Sequence, residues 1–358
     1  MILIAAQTLV AVIATALVAA TLLPMIRSTA WWIRMWEFPR LHLGLMLAAI
    51  LPAAALFTGW PRLAIVVPVV ACLVVQALHV LPFTRLWRRD MELTTGVEHG
   101  DVTILASNVL MENEDTSRLA DLIETENPEA VLLMETDALW RRALDPVIAK
   151  YPTIVDKTSH DHYGIIFATR LVADDARIVH LTPDDTPAIF AQLRDAAGRT
   201  FRLVGLHPRP PVPGQDTDAR DTQMAYAARF ARDEDLPVVV MGDFNEAAWS
   251  RTARYFKKVG GYVDPRTGRG IFASWHAGHP LARSPIDQIY VTPDMAVAEF
   301  RIGPHVGSDH FPVIVRIRAD PDLAGRLNRA ADDLDAVQNV NLAARLRDYS
   351  GTLKDPPF

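Results

Sequence analysis

Side chains of the kinds that bind metals or transfer protons stand at the ends of several apolar runs in this sequence. They belong to Asn108, Glu135, His207, Asp243, Asn245, Asp287, Asp309 and His310. A carboxylate at the end of an apolar strand costs desolvation free energy unless it is paired or bound to a metal ion. Strand ends that meet at one rim of a sheet would gather these groups into one acidic, histidine-containing pocket.

The composition limits the kind of metal that such a pocket could hold. The chain has 358 residues and one cysteine, Cys72, which lies in an apolar run. A structural zinc site with several cysteines and an internal disulfide are therefore excluded. Oxygen ligands would hold the ion, which favours Mg²⁺, Mn²⁺ or Ca²⁺.

Strands and a few long helices must position these residues. Alternation and apolar runs predict strands at 102–108, 130–135, 164–169, 188–194, 200–206, 237–242, 286–292 and 311–317. Helical spacing predicts helices at 115–126, 219–232 and 321–347. Many strands with few long helices indicate an α/β fold in which helices flank a sandwich of two sheets.

The order of the polar strand ends resembles the endonuclease/exonuclease/phosphatase superfamily, whose members are DNase I-like. The resemblance covers residues 101–318, and its most specific pieces are GDFN at 242–245 and SDH at 308–310. It implies a four-layer α/β/β/α sandwich and a hydrolase that attacks a phosphoester with water, without a covalent intermediate. A membrane-anchored, bacterial-type subgroup with about three N-terminal spans also looks similar.

By this resemblance, three residues hold the divalent ion. Glu135 and Asn108 bind it, and Asp309 contributes from the opposite side. Asp309 could instead cap a turn, and Asn108 could form an Asx turn.

The resemblance assigns catalytic roles to five further residues. His310 contacts the phosphate or acts as general acid or base, oriented by Asp287, which could otherwise be a buried ion-pair partner. Asp243 orients or deprotonates the attacking water. Asn245 holds the phosphate, and His207 donates a hydrogen bond to a phosphate oxygen. The run HDHY at 160–163, just before the strand predicted at 164–169, is expected to be a solvated loop.

The first ninety residues have the character of a membrane domain. Three runs without Asp, Glu, Lys or Arg, at 2–26, 41–58 and 63–83, are each about the ~20 residues that a transmembrane helix needs. Three buried helices of a soluble domain, or a cleaved signal peptide at 1–26, explain this pattern less well. We therefore predict a membrane domain at 1–90, a catalytic domain at 91–319 and a helical tail at 320–358, with a polar linker at 90–100 where the first two meet.

The distribution of arginines predicts the orientation of this integral membrane protein. Three arginines lie in the 27–40 loop and three follow the third span, whereas the loop on the other side has only Arg62. The positive-inside rule then places the catalytic domain in the cytoplasm, at the inner or plasma membrane.

The substrate class stays open between two kinds of phosphoester. We expect a nuclease-type phosphodiesterase, yet residues 91–358 carry a net charge of −11, whereas nucleases usually present a basic face. Arg266, Arg269 and Arg283 could form a basic patch near the site or belong to a solvated loop. A phospholipid or inositol phosphate is the alternative substrate, and an inactive membrane-anchored scaffold is the alternative from another class. The lipid bilayer is an expected partner, and no protein partner can be inferred.

Overall fold

The computed structural model describes residues 1–181, 186–232 and 235–348. The helices described there are α1 Ile2–Leu22, α2 Trp31–Arg34, α3 Arg40–Ala53, α4 Gly59–Val80, α5 Ser117–Glu126, α6 Ala138–Ala143, α7 Asp145–Ile148, α8 Asp218–Arg232, α9 Arg251–Gly260, α10 Pro321–Leu327 and α11 Ala336–Asp348. The strands are β1 Val102–Asn108, β2 Ala130–Met134, β3 Thr153–Lys157, β4 Ile165–Thr169, β5 Val172–His180, β6 Pro187–Arg194, β7 Thr200–Leu206, β8 Val238–Asp243, β9 Asp287–Val291, β10 Ala296–Ile302 and β11 Val313–Arg318.

The strands form two sheets that pack face to face. The six-stranded sheet has the order β10-β11-β1-β2-β4-β3, and the five-stranded sheet has the order β5-β6-β7-β8-β9. Each sheet contains one parallel pair, β1 with β2 and β7 with β8, and its other pairs are antiparallel. The two parallel pairs lie at the centre of the fold and bring several carboxyl ends of strands to one edge.

Both faces of the central strands are covered, which explains their nearly continuous apolar sequences. Between the sheets, Ile104, Leu132 and Met241 are buried in one core. On the outer face of the first sheet, Leu133 packs with residues of α5, α6 and α7. On the outer face of the second sheet, Val204 packs with residues of α8, α9 and α11. The predicted four-layer α/β/β/α sandwich is thereby confirmed.

The strands that the sequence pattern did not predict are all edge strands. β3, β5 and β10 each lie at an end of a sheet. Their side chains are mostly half-buried or exposed, as in the segment VADDARIVH of β5. An edge strand with a solvated face carries too many polar residues to give an apolar run.

The helix predicted over 321–347 was wrong as a single element. It is two helices, α10 and α11, separated at residues 328–335. Asn328 Nδ2 donates to the carbonyl oxygens of Pro293 and Met295, at 2.8 Å each, and so ties the break to the sandwich. Residues 349–358 of the predicted tail lie outside the described residues.

Two helices of the N-terminal segment are long and apolar enough to cross a membrane. They are Ile2–Met25 and Gly59–Phe83, each comprising an α-helix and a final 3-10 turn. The segments Trp31–Glu37 and Arg40–Leu56 qualify as a third span only when taken together, and they meet at a bend of 73°. The three predicted spans therefore correspond to two such helices and one bent pair.

The N-terminal helices pack directly on the sandwich. Trp249 Nε1 donates to the carbonyl oxygen of Glu37 at 2.9 Å, and the Trp249 ring packs edge-on against Phe83. The predicted polar linker also lies on the domain, because Met91 is buried in the core between the sheets. The Thr94 N–H donates to the Val297 carbonyl at 2.9 Å.

Candidate active site

Five of the predicted site residues lie at strand ends on one edge of the sandwich. Asn108 ends β1, Glu135 follows β2, His207 follows β7 and Asp243 ends β8. β9 runs antiparallel to β8 and begins at Asp287, which stands opposite Asp243 in the register. The topology thus brings residues that are far apart in sequence to one place.

Asp243 is the centre of the site. Its Oδ2 accepts a hydrogen bond from Asn108 Nδ2 at 3.0 Å. The same oxygen lies 3.8 Å from His207 Nε2 and 3.6 Å from His310 Nε2. Burial raises the pKa of Asp243, and the negative charge of Asp287 raises it further. One carboxylate oxygen therefore connects three other predicted site residues.

His310 and Asp287 form a buried imidazole–carboxylate pair. His310 Nδ1 lies 2.8 Å from Asp287 Oδ2, and both side chains are almost inaccessible to solvent. Burial opposes the charged form of His310, but the carboxylates of Asp287 and Asp243 outweigh it and raise its pKa to about 10. In the metal-free protein His310 is therefore an imidazolium at neutral pH, and its Nε2 faces Asp243.

Glu135 lies next to Asn108 and to a histidine that sequence reasoning assigned to a solvated loop. Asn108 Nδ2 donates to Glu135 Oε1 at 2.7 Å. His162 Nδ1 lies 3.1 Å from Glu135 Oε2, and its Nε2 lies 3.4 Å from Glu112 Oε1. His162 is exposed and lies in a loop, as expected, but its contact with Glu135 was not predicted. Only the clustering of histidines in the run HDHY hinted at this contact.

Asn245 and Asp309 complete the group. The Asn245 N–H donates to Asp243 Oδ1 at 2.8 Å, which fixes the loop that follows β8. Asp309 Oδ1 lies 3.9 Å from His310 Nε2. Asp309 Oδ2 accepts from Trp275 Nε1 at 2.9 Å. Sequence reasoning missed Trp275, because a single aromatic residue in a loop gives no pattern. All eight predicted site residues thus belong to one connected group.

The donor set fits a divalent cation. Glu135, His207 and Asp243 each offer a ligand atom within 4.8 Å of the others, and so do Asp243, Asp287 and His310. Carboxylate oxygens with imidazole nitrogens are ligands for small divalent metals. Several acids crowded at one buried edge are also a place where a cation relieves repulsion.

The three loop arginines lie in different surroundings. Arg266 is fully buried, with Nη2 2.8 Å from Asp264 Oδ2 and 2.9 Å from Gln288 Oε1. Arg283 lies over the ring of Phe311, 4.9 Å from its centroid. Both alternatives, a basic patch and a solvated loop, were therefore wrong for Arg266, because it is buried and Asp264 neutralises its charge.

A buried ionic network lies directly behind the site and joins it to the N-terminal segment. Its members are Arg34, Glu37, Arg40, Arg220, Asp221 and Glu246, whose side chains are at most 12% exposed. Three cations and three anions leave the network neutral. Such groups are stable away from water only when they are paired.

Glu246 links this network to the loop that follows β8. Its Oε2 lies 2.6 Å from Arg220 Nη2 and 3.5 Å from Arg34 Nη2. Arg220 Nη1 also donates to the carbonyl oxygen of Asn245 at 3.4 Å. The N-terminal segment therefore contacts the loop that carries Asp243 and Asn245. Sequence reasoning missed this connection, because Arg34 and Glu246 are 212 residues apart.

Comparison with known proteins agrees with this geometry. The sequence model described as "Endonuclease/Exonuclease/phosphatase family" matches residues 105–310. No curated protein sequence matches the chain.

Solved structures are similar to the sandwich. A humanized D. rerio TDP2 is 15% identical, covers 61% of this chain and 99% of its own, and has a TM-score of 0.51. An endonuclease/exonuclease/phosphatase from Bacteroides vulgatus is 20% identical, with coverages of 61% and 98% and a TM-score of 0.50. D. rerio TDP2 complexed with a single-strand DNA product is 18% identical, with coverages of 61% and 99% and a TM-score of 0.50.

Proposed function

Since the chain belongs to the endonuclease/exonuclease/phosphatase family, whose members are metal-dependent phosphoesterases, we propose that it is a membrane-anchored phosphodiesterase of the nuclease type. The observation that carries this proposal is the position of Asp243 Oδ2, which lies 3.0 Å from Asn108 Nδ2, 3.8 Å from His207 Nε2 and 3.6 Å from His310 Nε2. Such an arrangement suits in-line attack of water on phosphorus.

The metal-binding part of the site consists of oxygen ligands. Glu135, Asn108 and Asp309 would hold the ion. Asn108 would bind it through Oδ1, which in the metal-free protein accepts from the Leu110 N–H at 3.0 Å. Mg²⁺ or Mn²⁺ is the expected ion, and Ca²⁺ is also compatible with these ligands. A bound divalent cation supplies neutralisation of the negative charge on the phosphate and the leaving oxygen.

The remaining residues bind the phosphate and move protons. Asp243 orients the attacking water and accepts its proton, which its raised pKa favours. His310, kept as an imidazolium by Asp287, donates a hydrogen bond to a phosphate oxygen or a proton to the leaving oxygen. Asn245 and His207 hold the other phosphate oxygens.

A nucleic-acid substrate is supported by the solved structure of D. rerio TDP2, which contains a single-strand DNA product. A specific observation favours a second candidate, a phospholipid. An apolar cavity of about 290 Å³ lies between Phe38, Pro39 and His42 on one side and Trp275 and Leu281 on the other. His42 belongs to a segment proposed to enter the membrane, and Trp275 donates to Asp309. A lipid phosphoester could therefore reach the site along this cavity.

The proposed anchor consists of α1, α4 and the bent pair that includes α3. The six arginines at 27–40 and 85–89 then face the same side as the sandwich, and the positive-inside rule makes that side the cytoplasm. An enzyme reporter fused after residue 358 should be active inside the cell, and activity outside alone would reverse this orientation.

The test is metal-dependent hydrolysis by the full chain in detergent. The substrates are bis-p-nitrophenyl phosphate, single-stranded and duplex DNA, phosphatidylglycerol, sphingomyelin and inositol phosphates. Asp243→Asn and His310→Gln should each lower the rate by at least about 100-fold, the usual contribution of a general acid or base. Asp121→Asn, which removes an exposed acid on α5, is the matched control.

Each outcome separates the candidates. Mg²⁺-dependent cleavage of DNA supports the nuclease, and preference for a lipid supports the second candidate. Equal rates in Asp243→Asn and the control would contradict the assignment of the site. If calorimetry detects no binding of Mn²⁺ and no substrate is hydrolysed, the inactive scaffold is the better explanation.

A further inference from the structure

A second cavity, of about 500 Å³, lies where the chain leaves α4 and enters the sandwich. Arg85, Arg89 and Arg269 line it together with Trp87 and Glu92. This volume lies within the range of about 300–1,000 Å³ that is common for small-ligand sites. Three guanidinium groups and one carboxylate give these lining side chains a net charge of +2, so the cavity favours an anion.

The positive charges of the cavity are incompletely paired. Arg89 Nη1 lies 2.7 Å from Glu92 Oε2, and Arg269 Nη2 lies 3.7 Å from the same oxygen. One carboxylate therefore serves two guanidinium groups. Within residues 1–181, 186–232 and 235–348, Arg85 has no ion pair or side-chain hydrogen bond. Burial lowers the pKa of Arg269 and the nearby charge of Arg89 lowers it further, whereas Glu92, Asp264 and Asp90 oppose this change.

The two sides of the cavity are fixed against each other. The Gly268 N–H donates to the Pro82 carbonyl at 2.8 Å. Gly268 has φ +73°, and a Cβ there would lie only 2.8 Å from the Trp87 carbonyl oxygen and 2.9 Å from the Arg89 nitrogen. Glycine thus allows the backbone of the sandwich to touch the segment that carries the arginines. The cavity is built from both parts of the protein.

The cavity lies beside the end of a helix that is long and apolar enough to cross a membrane. That helix ends at Phe83, two residues before Arg85. Leu86 is 86% exposed and Trp87 is 39% exposed. Arginine and tryptophan directly after a span lie at the depth of the lipid headgroups, where basic clusters attract anionic lipids.

We propose that this cavity binds the phosphate headgroup of an anionic phospholipid, apart from the candidate active site. Guanidinium groups suit this ligand because they bind phosphate oxygens with paired, charge-assisted hydrogen bonds. The proposal rests on the proposed membrane anchoring but requires no catalytic activity. Binding there ties the segment 85–89 and the turn at Gly268 to the membrane surface.

The test is lipid binding to the delipidated full chain in detergent, counted by native mass spectrometry. Phosphatidylglycerol should bind at least about tenfold more tightly than phosphatidylcholine. Arg85→Gln should weaken the binding of phosphatidylglycerol by about tenfold, the loss expected for one hydrogen bond to a charged group. Arg85 is exposed and unpaired, so its replacement leaves folding intact. Arg88→Gln is the matched control, because it removes an exposed arginine from the same segment outside the cavity lining.

The outcomes decide between a site and a general attraction. Equal losses in Arg85→Gln and Arg88→Gln would overturn the proposal in favour of non-specific electrostatics. Inorganic phosphate that binds as tightly as the lipid, and depends equally on Arg85, would overturn the headgroup assignment. Alkaline extraction of membranes tests the anchoring separately. If the chain stays in the pellet, a failure of lipid selectivity counts against the cavity alone.

Discussion

Removing Arg34 should destabilise the protein and slow catalysis, although the residue is outside the active site. Arg34→Met leaves the buried network with two cations and three anions. Breaking a buried ion pair costs about 3–5 kcal/mol. We expect the lower end, about 3 kcal/mol, because Glu246 keeps Arg220 at 2.6 Å and Glu37 keeps Arg40 at 3.6 Å.

The neutral double variant tests whether charge pairing is the cause. Arg34→Met with Glu246→Gln restores equal numbers of cations and anions. Its loss in free energy of unfolding should be smaller than the sum of the single losses by at least about 1 kcal/mol, a typical coupling for neighbouring charges. Urea unfolding of the full chain in detergent, followed by tryptophan fluorescence, measures each variant. Arg27→Met, an exposed arginine of the same segment, should stay within about 0.5 kcal/mol of the wild type.

The catalytic readout distinguishes positioning of the loop from general stability. At a temperature where all variants are folded, Arg34→Met should lower kcat with little change in KM, because Glu246 and Arg220 hold the backbone beside Asn245. Additive losses within about 0.5 kcal/mol, or a kcat equal to that of the wild type, would refute the reasoning.

Three further predictions follow from the site. His310 has its pKa raised from 6.5 to about 10, so its contribution to stability is complete below pH 6.5 and is lost as the pH rises through 10. Unfolding of the metal-free protein across this range should show that slope, and Asp287→Asn should flatten it. Gly242→Ala should destabilise by several kcal/mol and abolish activity, because φ is +141° and a Cβ would lie 2.0 Å from the Leu206 carbonyl oxygen. A thermal-shift assay with circular dichroism of the residual fold checks this variant. Excess Mn²⁺ at about 100 times its Kd should stabilise the wild type by about 2.7 kcal/mol, and EDTA should reverse the effect. Glu135→Gln should lose most of this gain in the same assay, and an unchanged gain would exclude Glu135 as a ligand.

The core of the fold could be predicted from the sequence because the central strands are covered on both faces. Their apolar runs end at one edge of the sandwich, so the buried polar residues Asn108 and Asp243 are conspicuous in the sequence. The edge strands could not be predicted in the same way, since their apolar runs are interrupted by charged residues, as by the aspartates and the arginine of β5. The number of apolar residues in a strand reflects how much of the strand is buried, and a strand with one exposed face has few apolar residues.

The gathering of the eight candidate residues could be predicted, whereas the residues that support them could not. A pattern along the chain reveals Asp309 and His310, but it does not reveal that Trp275 donates to Asp309. The pairing of Arg34 with Glu246 depends on tertiary contacts between the N-terminal segment and the sandwich. Sequence gives no rule for such pairs, because any arginine can meet any glutamate once the fold is complete.

The docked segment at 90–100 determines how far the catalytic centre can travel. If these eleven residues formed a flexible linker, the root-mean-square distance between its ends would be about 18 Å. Here Met91 is buried and Thr94 is hydrogen-bonded to the sandwich. This part of the chain is therefore fixed to the sandwich and does not act as a flexible linker. The candidate active site then keeps a fixed distance from the proposed membrane and a fixed orientation to it. A soluble substrate must come to it from the adjoining layer of solution. A membrane-bound substrate comes by lateral diffusion, so its encounters become a search in two dimensions.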